Sequence, residues 1–282
     1  MFPEDIFKQM AGLGLFGITI PEAWGGGEVD CYGYAIVMEE LSKGYAAVAD
    51  QCGLVELVSS LIYRYGTDAQ KDRYLRGITS FQTKVAYCLT EAEAGSDLAA
   101  IKTTAQPHGS GWILDGAKLW INNAPLADIG IVLARTDHEM VHRGMSVFIV
   151  DLHAPGVSRG PKEEMMGQRG SHVGPLFFDG AELPEEALLG ELNRGFYMIM
   201  SVLEKGRVGI GALAVGIAQA GFEASLDYAR TRKQFNRPIG DFQGIQWMLA
   251  QMAMEIAAAR GLVHRAALML DNDKPATEAS SM

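Results

Sequence analysis

The chain has 282 residues, of which 48% are apolar and 21% charged, a globular composition with ample material for one large or two ordinary domains. Its formal charge of −10 and lack of any dense basic run argue against a nucleic-acid partner. Three widely spaced cysteines, Cys31, Cys52 and Cys88, form no CxxC pair and read as buried thiols of a reducing compartment. No run of 18 apolar residues and no secretory leader pattern is present, so the expectation is a soluble, intracellular chain without a membrane span.

Residues 1–83 predict a helical domain. Phe2, Ile6, Met10 and Leu13 recur at helical spacing before Gly12 and Gly14 break the pattern. Pro21 and Gly25-Gly26-Gly27 mark a loop, followed by periodic stretches at Tyr34–Leu41 and Leu54–Ile62. A short capped helix is expected from Asp68 to Leu75, ending at Gly77.

From about Lys84 the period shortens. Apolar-alternating runs at Ile101–Ala105, Gly111–Asp115, Lys118–Ile121, Ile129–Arg135, Met145–Asp151 and Leu176–Phe178 predict an antiparallel β domain over 84–183. Gly109-Ser110-Gly111 and Asp115-Gly116 are hairpin signals, and Pro184-Glu185-Glu186 is a plausible boundary. Helical periodicity then returns across 184–282. One long helix is expected over Phe196–Tyr228, thinned by glycines 206, 209, 211, 216 and 221, and a second over Phe242–Leu268. Each glycine lowers helix propensity, so either a neighbour packs closely there or a ligand lies against the face. The fold class is therefore α+β: a helical N-terminal domain, a middle β domain and an incomplete C-terminal helical bundle.

Four stretches carry candidate chemistry. In Tyr87-Cys88-Leu89-Thr90-Glu91 a strand runs into an acidic turn at Ala94-Gly95-Ser96-Asp97. Gly95 and Ser96 there can offer backbone N–H groups and a hydroxyl to an anion, or can form an ordinary self-bonded turn. Trp120-Ile121-Asn122 closes a strand, where a tryptophan is either core or platform. Gly167-Gln168-Arg169-Gly170-Ser171 is a glycine-rich turn. Arg230 to Gly240 places Arg232, Phe235 and several further cations at a helix end, where the helix dipole favours positive charge.

Taken together, these strings resemble the acyl-CoA dehydrogenase family, and the resemblance covers nearly the whole chain. It implies FAD as cofactor, an acyl-CoA thioester as substrate, an electron-transfer flavoprotein as electron acceptor, and a homo-oligomer, dimer or tetramer. By this resemblance Tyr87, Leu89, Thr90, Ser96, Trp120, Ile121 and Asn122 would line the flavin. Asn122 stands where the family usually has Thr or Ser. Arg232, Phe235 and Gln243 would reach the FAD of a neighbouring subunit. Ser96, Ser171, Glu204 and Arg207 would lie by the substrate; Glu204 and Arg207 also read simply as an i,i+3 ion pair on a solvated face. No metal site is expected.

The reaction so implied is α,β-dehydrogenation. A carboxylate removes the α-proton and the β-hydrogen leaves as hydride to the flavin. At the helix position that carries the base in a minority of the family this chain has Gly206. The base is accordingly expected beyond Met282, in a protein truncated at both ends relative to the family, with little turnover by the chain itself. Two alternatives stay open: a flavin-dependent monooxygenase or oxidase of the same fold, and a non-catalytic FAD-binding fragment. Localisation is expected to be cytoplasmic, or the mitochondrial matrix in a eukaryote.

Overall fold

A computed structural model describes residues 2–282. In chain order the helices are α1 (Glu4–Gly12), α2 (Cys31–Gly44), α3 (Ala46–Tyr65) and α4 (Asp68–Thr79). Strands β1 (Val85–Cys88), β2 (Thr104–His108), β3 (Gly111–Asn122), β4 (Ile129–Arg135), β5 (Met145–Asp151), β6 (Val157–Arg159), β7 (Val173–Leu183) and β8 (Leu188–Leu189) follow. The chain closes with α5 (Gly195–Thr231), a small hairpin of β9 (Lys233–Gln234) and β10 (Arg237–Pro238), α6 (Gln243–Asp271) and α7 (Thr277–Ser281). Helices, a β region and helices again make the fold α+β. Two compact units are distinguished, residues up to Val29 with Leu54–Leu203, and Asp30–Gly53 with Glu204–Met282.

The first unit is built on a sheet of order β6-β7-β3-β2-β4-β5-β8, with β1 added alongside β4. It is mixed rather than wholly antiparallel: β1 runs parallel to β4, Val85 opposite Ile129 and Cys88 opposite Val132, and β2 touches β4 in parallel at Thr104 and Arg135. A parallel pair needs a long crossover, and here the chain between β1 and β4 includes two other strands. Alternation places Leu114, Ile121, Val132, Phe148, Leu176 and Phe178 in one buried layer. The Gly109-Ser110 turn does join β2 to β3, since His108 pairs with Gly111. Asp115-Gly116 is not a hairpin. It is a register shift within the continuous β3, with Gly116 at φ +144°. A Cβ there would lie 2.5 Å from Thr103 Oγ1, so only glycine fits.

Helix α4 opens on a reciprocal cap between Thr67 and Gln70 and runs through Gly77 to Thr79. The Gln70 amide also donates to the Glu186 and Leu188 carbonyls at 2.9 Å, tying α4 to β8. Pro184 is followed by a single tight turn, Glu185–Ala187, and the long helix starts later, at Gly195. Near the N-terminus Phe7, Phe16 and Phe81 form an aromatic cluster with ring centroids 5.3–6.3 Å apart.

In the second unit two glycines of α5, Gly209 and Gly216, have a packing role. A Cβ at Gly216 would sit 1.9 Å from Ser42 Oγ, and one at Gly209 would sit 2.2 Å from the Tyr34 hydroxyl. Backbone of α5 thus comes directly against α2. Arg260 of α6 forks onto the Glu39 carboxylate of α2 at 2.7 and 2.9 Å. The N-terminus of α2 is capped twice: Asp30 accepts from Gly33 N, and Asp271 accepts from Cys31 N and Tyr32 N at 2.7 and 2.9 Å. By length and composition α3 and α5 could each cross a bilayer, but 78% of the apolar window of α3 is buried in the fold, as in a core helix.

Candidate functional site

Strands β1 and β3 are not ladder neighbours, yet three hydrogen bonds join them. Asn123 Nδ2 donates to the Val85 carbonyl at 3.1 Å, Lys118 Nζ to the Leu89 carbonyl at 3.0 Å, and Leu119 N to the Thr90 carbonyl at 2.9 Å. The Leu89 and Thr90 carbonyls lie past the end of β1 and find their partners in this way. The stretch Tyr87–Thr90 is thereby held beside Trp120–Asn122.

The geometry of β3 at this point is unusual. Its pairing with β7 slips between Lys118 and Ile121, and Trp120 takes a left-handed φ of +59°. A bulge re-aims side chains: Ile121 is buried, whereas the Trp120 ring is 62% exposed. For a bulky non-glycine residue both the backbone angle and the exposure cost free energy, a pattern that gathers at functional sites. Asn122 Oδ1 accepts from Ser171 Oγ at 2.8 Å, and Ser171 is itself buried. Asn123 N donates to the His172 carbonyl at 2.7 Å, so the 171–172 segment is sewn onto the end of β3.

Beneath this surface lies an ion pair. Lys118 is fully buried and donates to Glu91 Oε1 at 2.7 Å. Glu91 also accepts from Lys102 N at 2.6 Å and Thr103 N at 3.1 Å. Burial alone would raise the Glu91 carboxyl. The Lys118 charge and the hydrogen bonds from Lys118, Thr103 and Lys102 outweigh it and hold that carboxyl below the usual range. Burial lowers the Lys118 ammonium, with Glu91 pulling the other way. Cys88 is pushed up to about 12 by burial, partly countered by Lys118, and is an inert thiol. Burial likewise raises the Tyr87 phenol, whose buried hydroxyl has no partner.

Of the residues singled out by sequence, Tyr87, Leu89, Thr90, Trp120, Ile121, Asn122 and Ser171 are brought together here. Ser96 follows in the same turn, exposed, beside Gly95, around which a Cβ would meet nothing within 4 Å. Arg232, Phe235 and Gln243 belong to the second unit and are exposed. Phe235 is 88% exposed at the tip of the β9–β10 hairpin, with φ +50°. Glu204 and Arg207 also lie in the second unit. The Glu204 carboxylate accepts from the Thr277 hydroxyl of α7. Arg207 lines an apolar cleft of about 620 Å³ with Gly211, Gly221, Met252 and Ile256. Sequence reasoning missed Lys118 and Asn123. A lysine inside an apolar-alternating run was the available signal for the first, since a buried cation needs a buried partner. Among the described residues no cluster of His, Cys, Asp or Glu could hold a metal ion.

Three family models match: acyl-CoA dehydrogenase N-terminal domain over residues 1–82, middle domain over 86–181 and C-terminal domain over 193–282. The caffeyl-CoA reductase–Etf complex subunit CarC of Acetobacterium woodii is 40% identical, the alignment covering all of this chain and 74% of that protein. The mitochondrial short-chain specific acyl-CoA dehydrogenase of Homo sapiens is 38% identical over all of this chain and 69% of its own length. The structure of butyryl-CoA dehydrogenase from Megasphaera elsdenii superposes with a TM-score of 0.96 at 35% identity, covering all of this chain and 75% of that one.

Proposed function

This chain belongs to the acyl-CoA dehydrogenase family, and on that premise we infer that it serves FAD-dependent α,β-dehydrogenation of an acyl-CoA thioester, an oxidoreductase reaction at a CH–CH bond with electrons passed to an electron-transfer flavoprotein. One observation carries the site: the three hydrogen bonds that set Tyr87–Thr90 against Trp120–Asn122. The residues present fit the cofactor. An exposed indole on a strained bulge offers a face to a planar ring, Tyr87 brings a buried hydroxyl with no protein partner, and the open Gly95-Ser96 turn suits a pyrophosphate. Bound FAD supplies a two-electron acceptor for the β-hydride.

The chain's own residues bind and orient. Thr90 and Asn122 end the two joined stretches, and Ser171 donates to the Asn122 amide oxygen. An amide at this position differs from a hydroxyl in reach and geometry. Gly206 itself has no carboxyl, so proton removal is not assigned to that position. Exposed Phe235, Arg232 and Gln243 support a homo-oligomer, dimer or tetramer, in which a second copy completes the cofactor site. Three buried thiols support a cytoplasmic placement, or the mitochondrial matrix in a eukaryote.

A second reading runs the same chemistry in reverse, reducing a 2-enoyl-CoA. The 40% identity to a caffeyl-CoA reductase subunit favours it. Anaerobic titration tests both. A form of the protein extended beyond Met282 to include the expected base, loaded with FAD, should bleach on addition of a saturated acyl-CoA in the first case; its chemically reduced form should recover its yellow colour with a 2-enoyl-CoA in the second. Absence of any saturable FAD binding would sink both readings.

A further inference from the structure

Burying a lysine and a glutamate together is expensive. Desolvation costs several kcal/mol per ion, and well-packed apolar replacements are often neutral or stabilising. Lys118 is nonetheless completely enclosed and Glu91 nearly so, 0% and 8% exposed. Stability is a poor reason for such a pair, so its placement carries the information. Lys118 is the last β3 residue before the register slip that turns Trp120 outward. From there it reaches a strand that is not its ladder neighbour and takes hold of the Leu89 carbonyl. Glu91, two residues further on, also accepts from the backbone of Lys102 and Thr103. The pair thus ties three backbone segments to one point: the end of β1, the lead into β2, and the bulge of β3.

We propose that the buried Lys118–Glu91 pair is a positioning device for the cofactor site, fixing the separation of Thr90 from Trp120 and Asn122 and thereby how tightly a flavin is gripped. The proposal rests on the FAD reading above. Between the end of β1 and β3 the sheet supplies no ladder, and the backbone contributes the bond from Leu119 N to Thr90 O. A charge pair with directional bonds to Leu89, Lys102 and Thr103 admits one register. Positioning groups of this kind hold the residues in direct contact with a ligand, without touching it themselves.

The test uses the whole chain and three variants, Lys118→Met, Glu91→Gln and the double substitution. FAD affinity is read by flavin fluorescence titration, bound-flavin geometry by visible circular dichroism, and stability by thermal melting without FAD. Each single variant should weaken FAD binding by on the order of tenfold, the scale on which supporting residues act, and melt lower. The double variant, with no unpaired charge left inside, should recover its melting temperature but neither its affinity nor the wild-type dichroism. If affinity returns with stability, the pair is a structural element only and the proposal is overturned; variants that bind FAD like the wild type overturn it equally. Should Lys118→Met not fold, Glu91→Gln carries the test, because Gln keeps the shape and an acceptor oxygen. A wild-type chain that binds no FAD overturns the cofactor reading itself, and this inference with it.

Discussion

Asn122 and Ser171 are 49 residues apart in sequence and 2.8 Å apart in space. A buried serine that donates to an amide oxygen decides which way that amide faces. Ser171→Ala should therefore remove this constraint on the Asn122 amide oxygen. The expected cost is about 1 kcal/mol of stability, with a changed absorption envelope of bound FAD, checked by denaturant melts and difference spectra. Glu91 makes a prediction in pH. Its carboxyl is held below the usual value near 4.5 in the folded chain. Its contribution is therefore fully present above that value and is lost as pH falls through the depressed one. Urea melts of wild type and Glu91→Gln should converge below pH 4.5, the wild type losing stability the more steeply. Parallel curves would contradict the pairing.

At the scale of elements, glycine marks where a neighbouring element comes close to the backbone. Gly216 on α5 lies against Ser42 and the Glu39 carbonyl, and Gly209 against Tyr34. Gly216→Ala improves helix propensity by up to about 1 kcal/mol in isolation. Here it should destabilise instead, by about 1–3 kcal/mol, as overpacking does. Gly116→Ala should behave likewise in β3, because its φ of +144° is open to glycine alone and Thr103 fills the space. Thermal melting of both variants checks this. The helix and strand periods were legible in the sequence because apolar spacing is a local property. The interruptions of β3 were not: Asp115-Gly116 carries the composition of a hairpin turn, and only pairing with β7 shows that the strand continues through it.

For the whole molecule, a cofactor that binds only the folded chain must raise its stability by mass action. FAD at one hundred times its dissociation constant should add about 2.7 kcal/mol, seen as a higher melting temperature that scales with FAD concentration. Association makes a separate prediction. Phe235 at 88% exposure, with Trp247 and Met248 exposed on α6, is a set of large apolar side chains that a monomer leaves in water. Light scattering should report a species larger than a 30.5 kDa monomer, and Phe235→Ser should shift it towards the monomer. A monomeric wild type at micromolar concentration would contradict the oligomer proposal.

The amino-acid order determined the succession of helices, sheet and helices, and it determined the strings at Tyr87–Asp97, Trp120–Asn122 and Arg232–Gly240 by which the family is recognised. Those features are local, set by side-chain period and by the demands of turns. The tertiary structure decided that β1 lies parallel beside β4, that Lys118 finds Glu91 across 27 residues, and that Trp120 faces outward while Ile121 does not. These depend on which distant segments meet. That choice is made by burial and hydrogen-bond satisfaction over the assembled sheet, which no single stretch of the chain contains.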